Sequence, residues 1–151
     1  MTAATVQAQS GRKLSFTRVL LAGAIAIVVA SVANALIGWL AVNLFGIGAN
    51  FLPLANLPFT MILSAILLVL ATVVFLVINA FASNPARVFN IVALVALLLS
   101  LIPDVMLLVN PGSFPPEMGT ATLGAVIVLM VQHIVAYLAA VWAFTRWAPQ
   151  A

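Results

Sequence analysis

Four long apolar stretches, separated by short polar punctuation, dominate this chain. After a small, polar start, Arg12, Lys13 and Arg18 lead into a run from Val19 to Leu44 that holds no charged residue. Coiled as a helix, its ~26 residues extend roughly 39 Å at 1.5 Å per residue, enough to cross a bilayer with some tilt. Gly46, Gly48, Asn50 and Pro53 break the pattern, and a second run extends from Phe59 to Phe81. Ser83, Asn84 and Pro85 form a turn-type cluster before a third run from Val88 to Val109, which stops at Asn110-Pro111-Gly112. Pro115, Pro116 and Glu117 complete that loop, and a fourth run extends from Thr120 to Phe144. Each run exceeds the roughly 18-residue threshold for a spanning helix and lacks the period-2 alternation of a barrel strand. Backbone in hydrocarbon must satisfy its own hydrogen bonds, which requires helices. The predicted fold is all-α: a polytopic membrane protein with four transmembrane helices in an up-down-up-down bundle, sequence neighbours packing antiparallel because the loops are short.

This reading makes residues 18–147 one transmembrane domain, with spans at about 19–44, 59–81, 88–109 and 120–144. Residues 1–17 and 148–151 are then cytoplasmic tails. An alternative is that Arg12, Lys13, the following apolar stretch and Ala33-Asn34-Ala35 form a signal peptide cleaved after Ala35, leaving three spans. The apolar run continues through Leu36, Ile37, Trp39, Leu40 and Val42, past the roughly 7–15 residues of a signal h-region. A retained span is the better reading.

Composition agrees. Hydrophobic residues make up 66% of the chain and charged ones 5%, against roughly 25% charged in a soluble domain, so water cannot be the solvent around its surface. The basic residues are Arg12, Lys13, Arg18, Arg87 and Arg146, and the acidic ones Asp104 and Glu117. Four crossings put every basic residue on one side, which the positive-inside rule makes the cytoplasm. The expected location is the cell membrane, multi-pass, with both termini cytoplasmic and the lipid bilayer as the first partner. No basic cluster interleaved with aromatics marks a nucleic-acid surface, so no nucleic-acid partner is expected. The absence of cysteine excludes disulfides, thiolate metal sites, iron–sulfur clusters and thiol catalysis.

Polar residues inside the runs carry the remaining information, because they are costly in lipid and pair in a bundle interior. Gly23, Ala30, Ser31, Asn34 and Gly38 share one face of the first helix and permit close helix approach. Ala93, Ala96, Ser100 and Asp104 form a similar stripe on the third, where Pro103 withdraws the donor to Leu99 and predicts a kink. On the fourth, Gln132 adjoins His133, and His133 and Tyr137 lie one turn apart. Counted from the basic anchors, Asn34 lies about 24 Å from Arg18, Ser100 and Asp104 about 20 and 26 Å from Arg87, and His133 about 20 Å from Arg146. Asn34, Ser100, Asp104 and His133 thus occupy one layer and are expected to form a single hydrogen-bonded cluster. It serves either as interhelical glue or as a proton or small-ligand site, since histidine side chains and intramembrane Asp/His pairs carry protons; a third arrangement has Asp104 reaching the far interface without meeting His133. Asn79, Asn84 and Asn90 are read as caps and turn formers, and Trp39, Trp142 and Trp147 as interfacial anchors.

Most chemistry is disfavoured. One histidine cannot supply bis-His haem ligation, and no motif selects a methionine partner. Leu129, one turn before His133, crowds a pigment macrocycle. One His, one Asp and a distant Glu fall short of a zinc or two-metal site. Ser100 and Asp104 are one turn apart on one helix, a strained setting for an imidazole between them, and no Gly-rich phosphate loop is present. No cofactor, no metal and no enzymatic activity is expected.

Asn34, the Ser100-Leu101-Ile102-Pro103-Asp104 stretch and His133 resemble an uncharacterised family of small bacterial four-helix membrane proteins, known only as a domain of unknown function. The resemblance covers most of the chain and implies four spans and those same polar residues, with no activity attached. The leading functional expectation is a non-enzymatic accessory or interaction subunit, partnering other membrane subunits or its own copies, because the chain is nearly loopless. The alternative is a binder or transporter of a proton or small lipophilic molecule that uses the polar layer. An intramembrane enzyme is the third reading.

Overall fold

The computed structural model describes residues 13–111 and 114–146; Arg12, Trp147 and both chain ends lie outside them. Each long helix starts where a side chain caps it. Ser15 Oγ accepts the Arg18 N–H and opens α1 (Phe16–Phe45). Asn56 Oδ1 accepts the Phe59 N–H at 3.0 Å and opens α3 (Leu57–Phe81), and Asn84 Oδ1 accepts the Arg87 N–H at 3.1 Å and opens α4 (Pro85–Val109). A proline in the first turn of α3 and of α4 presets the helical φ and lacks an N–H that would have no helical partner. Thr122 Oγ1 accepts the Ala125 N–H at 3.2 Å at the head of α5 (Leu123–Arg146). Caps therefore set the boundaries: α1 and α4 begin before Val19 and Val88, and α5 begins after Thr120. A one-turn helix, α2 (Leu52–Ala55), and a 3-10 turn at Pro116–Met118 fill the two loops opposite the Ser83 turn; the apolar pattern did not reveal either.

Among the described residues four helices, α1, α3, α4 and α5, are long and apolar enough to cross a membrane, and the fold is that of an all-α, polytopic membrane protein. Its surface is inverted relative to a soluble domain. Ile66 and Leu98 are 59% and 58% exposed, whereas Asn34 and Asp104 are each 3% exposed. In hydrocarbon this is the stable arrangement, since apolar surface needs no cover and polar groups need partners.

Consecutive spans run antiparallel, with α1 seated between α3 and α5 and α4 resting on α5. α1 runs unbroken through Ala35, and its small-residue face is buried throughout, with Gly23, Ala30, Ser31, Asn34 and Gly38 all in the interior. Gly23 shows why: a Cβ there would lie 2.4 Å from Thr72 Oγ1 on α3. α3 and α4, although joined by a tight turn, touch sparsely. They meet near that turn, where Phe75 and Phe89 pack edge-to-face at 5.1 Å and both rings pack on Phe144 of α5. Such aromatic pairs contribute ~0.5–1.5 kcal/mol each beyond area burial.

The interior is layered. Near the Ser83 turn, Val19, Ala22, Ala26 and Ala30 of α1 join the three phenylalanines in one apolar cluster. At the opposite end, Phe51, Leu54, Leu107 and Val126 form a second. Asn79 closes the first cluster by clasping the backbone of Leu14, accepting from its N–H at 3.0 Å and donating to its carbonyl at 2.9 Å. That is a different task from the turn formation expected of Asn79. Lys13 Nζ donates to the Ala80 carbonyl beside it. At the far end the Thr120 N–H donates to the Asn50 carbonyl at 3.2 Å. Gly119, at φ 79°, brings the chain so close that a Cβ would lie 1.8 Å from Asn50 O.

The α1–α3 contact predicts a coupled pair. Gly23→Ala should destabilise the protein by about 1–3 kcal/mol through overpacking, and the loss should shrink in a Thr72→Ala background. Unfolding in detergent micelles measures both, and strictly additive losses would mean that the two side chains do not collide.

Candidate functional site

Between the two apolar clusters lies the polar layer, and each helix delivers its part through local sequence. On α1, Asn34 Nδ2 donates to Ser64 Oγ of α3 at 3.0 Å, and Ser31 Oγ donates to the Met61 carbonyl. On α5, Gln132 Nε2 donates to the backbone carbonyl of Asn34 at 2.9 Å. Gly38, one turn further along α1, lies beside that amide: a Cβ there would come within 3.4 Å of Gln132 Nε2. Thr60 of α3 donates to the Pro53 carbonyl and ties α2 to the same layer.

The second polar unit joins α4 to α5. His133 Nδ1 lies 3.0 Å from Asp104 Oδ2, with the carboxylate side chain 4% exposed and the imidazole 26% exposed. The approach is off-line for a hydrogen bond, and neither atom has another partner among the described residues. Asn34 Oδ1 is the third buried polar atom left without one.

The single cluster expected from the four-residue layer is therefore two units. Asn34 bonds Ser64 and Gln132, Asp104 faces His133, and Ser100 Oγ turns back to donate to the Leu97 carbonyl of its own helix at 2.7 Å. The reason is the packing order. α1 contacts α3 and α5 while α4 rests on α5, so Asn34 and Asp104 sit diagonally across the bundle. Asp104 does meet His133, unlike the arrangement in which it reaches the interface alone. Ser64 and Gln132 belong to the layer as fully as Asn34 does. Ser64 and Thr60, one turn apart in the first half of the second run, carried the signal for the α3 side of it.

All four expected residues nevertheless line one cavity. It has a volume of about 290 Å³ and is walled by Asn34, Ser100, Asp104 and His133 together with Ser64 and Gln132. A neighbouring cavity of about 210 Å³ runs toward the Ser83 turn between α3 and α4, and Leu67, Ser100, His133 and Ala136 line both. Small side chains make the space: Ala71 of α3, Ala93 and Ala96 of α4 and Ala140 of α5 line the second cavity, where larger residues would close the helices together. The result is a half-open cleft, apolar along its length and polar at its floor.

Ser100 Oγ is engaged with Leu97 and makes no hydrogen bond to His133, so no nucleophile–base pair is assembled. Among the described residues no three His, Asp or Glu side chains gather as a metal site. Removing one bond from the layer tests its strength: Ser64→Ala should lower unfolding stability in micelles by about 0.6 kcal/mol, at most about 1.7. A loss several times larger would show that Asn34 is held mainly through Ser64.

No curated protein and no solved structure gives a significant match to this chain. A family model, described as a family of unknown function, covers all four spans and every residue of the polar layer by matching residues 14–150. The chain thus belongs to the family of unknown function DUF6069.

Proposed function

We propose that this protein binds a small lipophilic molecule within the membrane, in the cleft between α3 and α4, without chemically transforming it. One observation carries this reading: two spans linked by a short turn stand apart, and the gap between them ends on Asp104, His133 and Asn34, each with a buried, unpartnered polar atom. Glue alone would have drawn the helices together and paired those atoms, because unpaired polar groups in hydrocarbon are costly. Ligand sites are concave and mostly apolar, with a few convergent polar groups, and the cleft has that character.

An accessory-subunit role is the second reading, and α4 favours it. Only 11% of its span is buried, against 33% for α1, so a partner helix has an open face to cover. The small-residue face of α1 is consumed inside the bundle and supports no self-association there. For location, the reading is the cell membrane with both termini cytoplasmic, supported by Lys13, Arg18, Arg87 and Arg146 gathering at the Ser83 end.

Native mass spectrometry of the protein released from its own membranes tests the cleft. The parent should retain a small non-protein adduct that Ala96→Phe, inside the cleft, reduces at least about tenfold in occupancy (a loss near 1.4 kcal/mol). Val95→Phe, at a 50% exposed neighbour outside it, should keep the adduct. Equal retention by both variants, or no adduct in the parent, overturns the reading. Because the chain has no cysteine, single cysteines report orientation cleanly. Glu117→Cys should react with an impermeant maleimide on intact cells, and Ser83→Cys only after permeabilisation.

A further inference from the structure

We infer that the occupant of the cleft is a neutral amphiphile whose small head carries a hydroxyl, entering sideways from the bilayer between α3 and α4; this rests on the cleft-binding reading above. The entrance faces lipid, since Leu67 and Leu70 of α3 and Val92 of α4 line the cleft while 50%, 59% and 39% exposed. A hydrocarbon tail fits between those walls, toward Phe89 and Ala140. The head then reaches His133 and Ser100, where the two cavities meet.

The floor asks for a proton donor. Asp104 Oδ2 stands 3.0 Å from His133 Nδ1, so Nδ1 is the ring nitrogen turned to the carboxyl group; with the ring proton there, the other nitrogen is free to accept. Nε2, at the other edge of a ring that lines both cavities, is then a lone-pair acceptor. Ser100 has spent its proton on the Leu97 carbonyl and offers only acceptor capacity. Asn34 Oδ1, a buried oxygen without a hydrogen bond among the described residues, is an acceptor as well. Tyr137, one turn along α5 and lining the upper cavity, can donate in return. A ligand that brings an O–H and can also accept meets this set; an ether or ester head brings no proton.

Charged heads fit less well. A phosphate needs cations, and Lys13, Arg18, Arg87 and Arg146 all lie at the Ser83 end, whereas the floor is lined by the acidic residue Asp104. An ammonium must shed its hydration in apolar surroundings, and the carboxylate available to it already faces His133.

Four photoactivatable probes test the assignment, sharing one alkyl-diazirine chain and ending in a hydroxyl, a methyl ether, a phosphate monoester or an ammonium. The protein is reconstituted in phosphatidylcholine nanodiscs and crosslinked peptides are mapped. The hydroxyl probe should label the cleft walls about fivefold more than the ether probe, the scale of one net hydrogen bond, and more than either charged probe. His133→Phe should bring hydroxyl and ether to parity. Parity in the parent, or preference for phosphate or ammonium, overturns the hydroxyl assignment while leaving cleft binding intact. Failure of all four probes to label the cleft overturns both. Should His133→Phe not fold, the ranking in the parent decides alone.

Discussion

Hydrocarbon offers no hydrogen bonds, and the rest of this structure follows from that single constraint. Every polar side chain within the spans must find a partner inside the bundle, reach an end, or stay unpaired at a cost. Ser31, Asn34, Ser64 and Gln132 take the first course and lock α1 to α3 and α5. Each bond is individually weak, averaging about 0.6 kcal/mol in membranes, yet together they select which helix faces meet. Asp104 and His133 take that course only in part: they face each other at 3.0 Å, out of line. Among the described residues, the buried polar atoms left unpaired, Asn34 Oδ1 included, belong to side chains that line the open part of the bundle.

That coincidence has a steric origin. α1 carries glycine, alanine and serine along the face it turns to its neighbours, and it packs closely, to the point that Gly23 tolerates no Cβ against Thr72. α4 carries alanines as well, but they meet Ala71, Ala136 and Ala140 across the gap. Small residues facing a larger side chain such as Thr72 bring helices together; small residues facing other small residues, with phenylalanines propping the helices at one end, leave a space. Phe75, Phe89 and Phe144 are that prop. One motif type thus yields a seam on α1 and a cleft on α4.

Much of this was legible in the residues. The four spans followed from apolar runs too long for anything but a bilayer, and Asn34, Ser100, Asp104 and His133 could be placed in one layer by counting 1.5 Å per residue. What counting could not deliver was azimuth around the bundle. Rise along an axis fixes depth, whereas partners depend on which helices adjoin, and α1 and α4 turned out to be diagonal. Asn34 therefore found Ser64 and Gln132 instead of Asp104. The openings beyond the spans were also hidden, because α2 and the bridge at Gly119 depend on backbone contacts between two loops distant in sequence. The cleft itself was invisible for the same reason: an alanine stripe reads identically whether it closes a contact or lines a gap.

A high-resolution cryo-EM map of the protein held in a lipid nanodisc, with no added ligand, bears most directly on the central claim. The account predicts α3 and α4 parted beyond Phe75 and Phe89, with elongated non-protein density ending beside His133 and Ser100. Helices closed side against side along their length, with Asp104 and His133 hydrogen-bonded in line and no space left between α3 and α4, would contradict it.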